Sequence, residues 1–321
     1  MRAYGYDLGG GTTVTAVVEI PQAGKEIQTR TLQGATPELV KQYPDLQPHY
    51  ADDNGNLKAV VQAFLVKTPE RAIVVDTCVG DGRNVLFPEW SNLQSGFLEL
   101  LAASGVKRED VDTVLCTHMH FDHIGWNTMK VGDKWVPTFP RAEYIFSKTE
   151  HDHWRNRPEI KLDFWRQVIP GFQGEHDLLN YSRSVEPILG AARFVDMDAQ
   201  ISQGVRLIPT PGHTPGHVSV EVRSGQQRAI ITGDMIHHLL QTKHLDMSAG
   251  EAGDELVQAT ETRKKAFADW ADNKTLILGS HFAFPCAVRM WTTDNEKALY
   301  SFRPVAPDKL IRADGPVPGS K

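Results

Sequence analysis

The run Thr117-His118-Met119-His120-Phe121-Asp122-His123-Ile124-Gly125 follows directly on an apolar stretch, Val111–Thr117. Three histidines and one aspartate therefore fall within six residues at the end of a buried strand. That placement constrains the fold more than anything else in the chain, because apolar strands end where a site can open and binding residues sit on such loops. In an extended segment His118 and His120, two residues apart, point the same way. Asp122 and His123 come as the chain turns and face a second point close by. Imidazole nitrogens and carboxylate oxygens are the ligands expected for zinc and similar divalent ions. The alternative is a solvated polar loop, and four ligand-type residues placed after a core strand argue against it.

The pattern recurs downstream. Val205–Pro209 leads into Thr210-Pro211-Gly212-His213-Thr214-Pro215-Gly216-His217. Arg228–Ile231 leads into Thr232-Gly233-Asp234, and Lys274–Leu278 into Gly279-Ser280-His281. A ligand-type residue thus ends an apolar run four times, as the edge of a sheet carrying one site should show.

Around these runs the chain alternates. Thr13–Ile20, Ala59–Lys67 and Arg71–Thr77 read as strands, as do the runs named above and Val218–Val222. Pro21–Asn56 reads as loops with a short helix. Leu93–Ser104 has helical spacing and stops at Gly105, and Asp254–Trp270 is amphipathic, with Leu256, Ala259, Phe267 and Trp270 on one face. The middle, residues 126–200, is rich in Trp, charge and Pro, with helix-like Lys148–Arg157 and Leu162–Val168; it reads as an insertion or lid. The tail beyond Arg303 reads as irregular. Two sheet-plus-helix halves burying one core explain 321 residues as a single domain.

Composition narrows the classes. With 34 basic against 40 acidic side chains the formal charge is −6, which disfavours a nucleic-acid partner. No run of about 18 apolar residues exists, so no membrane span is expected. The N-terminus lacks the basic start and apolar stretch of a signal peptide, and three scattered cysteines do not form a disulfide framework. A cytoplasmic location is expected, with a leader removed beforehand left open. Tyr6-Asp7-Leu8-Gly9-Gly10-Gly11-Thr12-Thr13 resembles a phosphate loop, but one glycine run is weak evidence and reads as a turn into the first strand.

The combination His-x-His-x-Asp-His, Pro-Gly-His-Thr-Pro-Gly-His, Thr-Gly-Asp and Gly-Ser-His, spread over residues 110–282, resembles the metallo-β-lactamase-fold hydrolases. The resemblance implies an α+β fold, a four-layer αββα sandwich of two mixed sheets with helices outside. It also implies two divalent ions, zinc first, with iron, manganese or cobalt as alternatives. His118, His120 and His213 would hold one ion, Asp122, His123 and His281 the other, and Asp234 would bridge them. His217 would support the loop. True antibiotic-degrading β-lactamases carry Cys or Ser where Asp234 stands, so the resemblance points to the lactonase and phosphotriesterase-like branch.

The implied reaction is attack by a metal-bridged hydroxide on a small ester-like substrate, a lactone or carboxylic ester, with Asp122 orienting the nucleophile. A phosphotriester or phosphodiester is the alternative, ahead of a thioester or a nuclease. Family lactonases place a tyrosine three residues after the bridging aspartate; His237 holds that offset here, and His237 or His238 is a candidate proton or oxyanion donor. Trp126, Phe282 and Phe284 are candidate pocket walls. His151, His153 and Trp154 read as a solvated helix face, as does the cluster Arg263-Lys264-Lys265, while His49, His176 and His244 receive no role. The partner is a small molecule; a homodimer is allowed, with nothing in the sequence demanding it.

Overall fold

The computed structural model describes residues 2–155, 181–248, 255–294 and 299–313. The expected helix Leu162–Val168 and His176 lie outside these residues. The backbone divides into two compact units, Met1–Ile20 with Val61–Asp196 and Asp308–Lys321, and Pro21–Val60 with Met197–Pro307.

The first unit is built on a mixed eight-stranded sheet. Its strands are β1 (Arg2–Gly9), β2 (Thr12–Ile20), β3 (Val61–Lys67), β4 (Ala72–Val75), β5 (Thr113–Leu115), β8 (Glu143–Ser147), β9 (Ala192–Val195) and β17 (Lys309–Arg312), in the order β17-β1-β2-β3-β4-β5-β8-β9. From β4 to β9 the pairing is parallel, with Ile73 opposite Thr113 and Val114 opposite Tyr144; the rest is antiparallel. The hairpin β6 (Thr128–Val131) and β7 (Lys134–Pro137) stands apart as a two-stranded ribbon. Strands β3 and β5 are apolar and almost wholly buried, the pattern of strands covered on both faces.

The glycine run of the N-terminus is a turn. Gly9, Gly10 and Gly11 take φ of +77°, +59° and +78°, a backbone only glycine adopts freely, and they join β1 to β2. Helix α1 (Phe97–Ala103) begins four residues later than spacing suggested. Gly96 is left-handed there (φ +61°), and the carbonyl of Leu93 is held by the N–H of Gly82. Helix α2 (Phe121–Ile124) and helix α3 (Lys148–Arg155) complete the elements used below.

Two expectations need correcting. The middle segment is not wholly extra, because β8 and β9 belong to the sheet. The tail is not wholly irregular either: β17 pairs along β1, Ile311 opposite Ala3.

The second unit carries a seven-stranded mixed sheet, β10 (Gln200–Ser202), β11 (Val205–Pro209), β12 (Val218–Ser224), β13 (Gln227–Ile231), β14 (Leu276–Leu278), β15 (Ala287–Thr292) and β16 (Tyr300–Pro304), in chain order. Only the β13–β14 pair is parallel. That pair is joined by a crossover containing α4 (Leu256–Trp270), as a parallel connection requires. Helix α4 buries Ala259, Arg263, Ala266, Phe267 and Trp270, while Leu256 is 47% exposed. Arg263, expected on the outer face, is therefore inside. Its Nε donates to the carbonyl of Leu245 (2.7 Å), its Nη1 to that of Met235 (3.1 Å), and its Nη2 to the Ser248 hydroxyl. Among the described residues no helix is long and apolar enough to cross a membrane.

Candidate metal centre

In the first unit the ligand motif starts where β5 ends. His118 is fully buried, and its Nε2 lies 3.1 Å from the Nδ1 of His120. The chain then enters α2, which carries Asp122 and His123; the Nε2 of His123 is 3.7 Å from the Oδ2 of Asp122. The His123 ring is oriented from behind by Asp76, whose Oδ2 accepts its Nδ1–H at 2.8 Å. Asp76 also takes the backbone N–H and the hydroxyl of Thr117. The motif's closing glycine is demanded by space: a Cβ on Gly125 would stand 1.9 Å from the carbonyl oxygen of Val79.

In the second unit three strand ends converge on one carboxylate. His213 follows β11, Asp234 follows β13 and His281 follows β14. The ring nitrogens of His213, His237 and His281 lie 3.5, 3.2 and 3.1 Å from the Asp234 carboxylate. His281 gives its Nδ1–H to the carbonyl of Val60 (2.9 Å), which leaves Nε2 facing Asp234. His217 supports the loop: its Nε2 accepts the N–H of Asp234 at 2.8 Å, and its Nδ1–H reaches the carbonyl of Thr210. Gly212 has φ +138°, and a Cβ there would come within 2.4 Å of the Ala259 backbone, so the loop lies tight against α4.

The donors of each unit have the spacing and chemistry that divalent ions need. Ligands held at about 2.1 Å on a tetrahedron are separated by about 3.4 Å, and the donor pairs above stand 3.1–3.7 Å apart. Neutral imidazoles and carboxylates are also the right chemistry for zinc. His118, His120 and His123 stand together in the first unit, with Asp122 beside His123; His213 and His281 both stand at Asp234 in the second.

His237 and His238 separate cleanly, and neither lies on a surface loop. His237 is buried with Nε2 on Asp234 and no hydrogen-bond partner for Nδ1 among the described residues; burial lowers its pKa. His238 is occupied on both nitrogens, Nε2–H donating to the carbonyl of Tyr50 (2.8 Å) and Nδ1 accepting the N–H of Leu240 (3.0 Å). Burial pushes its pKa down to about 4 and keeps it neutral. Gln241 takes the N–H of both His237 and His238, fixing the turn.

Other side chains fall differently from expectation. Trp126 is packing: its ring stacks on Phe97 and its Nε1–H donates to Glu19 at 2.6 Å. Phe282 is core, whereas Phe284 is 45% exposed beside His49. His151 and Trp154 are buried, not solvated. His244 receives the Tyr43 hydroxyl at 2.8 Å. Asp76, Glu19 and Glu150 were not singled out from sequence; an acidic residue within an apolar stretch, as Glu19 is within β2, was the only available signal.

The model of the Metallo-beta-lactamase superfamily matches residues 58–259. The chain belongs to this superfamily. A relative named a probable metallo-hydrolase, from Mycobacterium tuberculosis, is 28% identical over 231 residues, covering 65% of this chain and 68% of its own. An N-acyl homoserine lactonase of Bacillus thuringiensis is 25% identical over 187 residues, 54% of this chain and 63% of that one. The crystal structure of hydrolase AbOPH superposes with a TM-score of 0.70 at 25% identity, covering 96% of this chain and 98% of that one. AidC, a dizinc quorum-quenching lactonase crystallised with its product, also gives 0.70, at 23% identity over 95% and 97% of the two chains. The α+β metallo-β-lactamase fold is thereby established, and the protein is a metal-dependent hydrolase whose relatives are metallo-hydrolases and lactonases, not true β-lactamases.

Proposed function

We propose that this protein is a dinuclear hydrolase that opens a lactone or another small carboxylic ester. In this reading His118, His120 and His213 would hold one zinc ion and Asp122, His123 and His281 the other, with Asp234 as a ligand to both. The observation that carries it is the convergence of His213 and His281 on an aspartate, where a β-lactamase would have Cys or Ser. Lactonases among the relatives support the substrate class.

Two divalent ions bound there would supply hydroxide at neutral pH and polarise the scissile carbonyl. The chain's residues do the remaining work. Asp122 orients the nucleophile with its second carboxylate oxygen and takes its proton. His237, held in place by Gln241, turns its one ring N–H from Asp234 to the substrate oxygen on which charge develops. His217, tied at both nitrogens, keeps Asp234 in register.

Elemental analysis joined to a chelator-controlled panel tests this. The panel holds lactones, aryl esters, a phosphotriester, a thioester and a β-lactam. Two ions per chain and chelator-sensitive lactone turnover are expected. No chelator-sensitive turnover of any ester would sink the proposal, and preference for the phosphotriester would move the assignment to phosphoryl centres.

A further inference from the structure

Glu150 and Trp154 lie one turn apart on α3, outside the ligand set, yet both reach it. The Glu150 side chain is buried, and its Oε1 accepts two hydrogen bonds, the backbone N–H of Met119 at 3.0 Å and the indole N–H of Trp154 at 2.6 Å. The Met119 N–H belongs to the peptide linking His118 to the residue that separates it from His120. The Trp154 ring in turn stands edge-on to His120, with centroids 5.6 Å apart.

A buried carboxylate is costly unless hydrogen bonds compensate it. Here part of the compensation, the Met119 N–H, comes from the ligand motif itself. Two imidazoles on alternate residues present their nitrogens to one point only while the peptides between them keep their orientation; turning one swings both rings apart. Glu150 fixes the peptide, and Trp154 limits the swing of the second ring.

We propose that Glu150 and Trp154 are positioning residues that hold the Met119 peptide and the His120 ring in the arrangement in which His118 and His120 take a divalent ion. This rests on the metal-centre reading above. Because both hydrogen bonds end on one oxygen, a glutamine can keep both, so geometry rather than charge carries the effect.

The test measures zinc affinity by chelator competition and the visible absorption of the cobalt-loaded protein. It compares wild type with Glu150→Leu, Glu150→Gln and Trp154→Phe, with melting of the metal-free proteins as the folding control. Loss of such a supporting partner weakens metal binding by roughly 10- to 100-fold. That loss and a changed cobalt band are expected for Glu150→Leu, with Glu150→Gln restoring both to near the wild-type values. If Glu150→Leu does not fold, Trp154→Phe decides, since it keeps an aromatic ring and loses only the indole donor; it should weaken binding and shift the band. Affinity and band equal to wild type in the deciding variant overturn the proposal. A wild type that takes up neither ion defeats the metal-centre reading and this inference with it. Metal uptake without ester turnover defeats only the substrate assignment.

Discussion

The Oδ2 of Asp76 lies 2.8 Å from the Nδ1 of His123, and the same carboxylate holds the Thr117 N–H at 2.7 Å. One side chain at the end of β4 thus fixes both the start of the ligand motif and the tautomer of its last histidine. Asp76 adopts φ +56°, a left-handed conformation that aspartate tolerates better than most residues. Asp76→Asn should set an amide N–H against the His123 N–H. We expect zinc affinity to fall by about 10- to 100-fold and stability by about 1–3 kcal/mol. Chelator competition and denaturant melts check the two effects separately.

His237 and His238 should part company on mutation. His237→Ala removes the donor proposed to serve the reacting oxygen and should lower kcat by roughly 10²-fold with the metal content retained. His238→Ala leaves the Leu240 N–H without its partner and takes one of two donors from the Tyr50 carbonyl. It should lower Tm while kcat per folded molecule stays near wild type. Equal kcat losses in both variants would refute the division.

Glu19 makes the first unit sensitive to pH. Burial raises its pKa to about 7, against the N–H of Val79 and the indole of Trp126, which favour the anion; Asp81 nearby adds to the rise. Cys78 is held neutral beside it. The Ser95 hydroxyl lies 3.1 Å from Glu19 and 2.8 Å from Asp81, and its single proton cannot serve both. The folded state therefore binds the Glu19 proton more tightly than the unfolded state. Its contribution is complete below about pH 4.5 and declines as pH rises to about 7, by about 3 kcal/mol. Urea unfolding from pH 5 to 8 should show that slope in wild type and a flatter one in Glu19→Gln.

Glu221 has the opposite sign. Burial would raise its pKa, but hydrogen bonds from Arg223, Arg206 and Arg228 outweigh it and hold the carboxyl at about 2. Its stabilisation is complete above about pH 4.5 and is lost as pH falls towards 2. Arg206 and Arg223 are half exposed, so solvent screening limits the effect to about 1–3 kcal/mol. Glu221→Gln should lower stability at neutral pH by that amount and leave acid unfolding less steep.

Gly125→Ala should be poorly tolerated despite its small size. The added methyl would collide with the Val79 carbonyl, displacing the turn that carries His123. We expect a loss of about 3 kcal/mol or more and reduced metal content, read by melting and elemental analysis.

The candidate ligand residues stood out in sequence because each of their motifs follows an apolar run, at β5, β11, β13 and β14. The supports did not. Asp76 acts on His123 across 47 positions, and no local pattern announces such a pairing. His151, His153 and Trp154 of helix α3 read as a solvated face, yet His151 and Trp154 are buried through partners, which periodicity does not detect. Arg263 was misplaced for the same reason. Strand β1 was hidden by its glycines and tyrosines, and β17 by the charges an edge strand normally carries.

The pairing of β17 along β1 also sets a timetable. As the chain leaves the ribosome, β1 and β2 can pair at once, but the outer flank of β1 has no cover until Lys309–Arg312 has been made. Until then that flank stays open to strands from neighbouring nascent chains, and a pause in decoding before Lys309 would prolong the exposure.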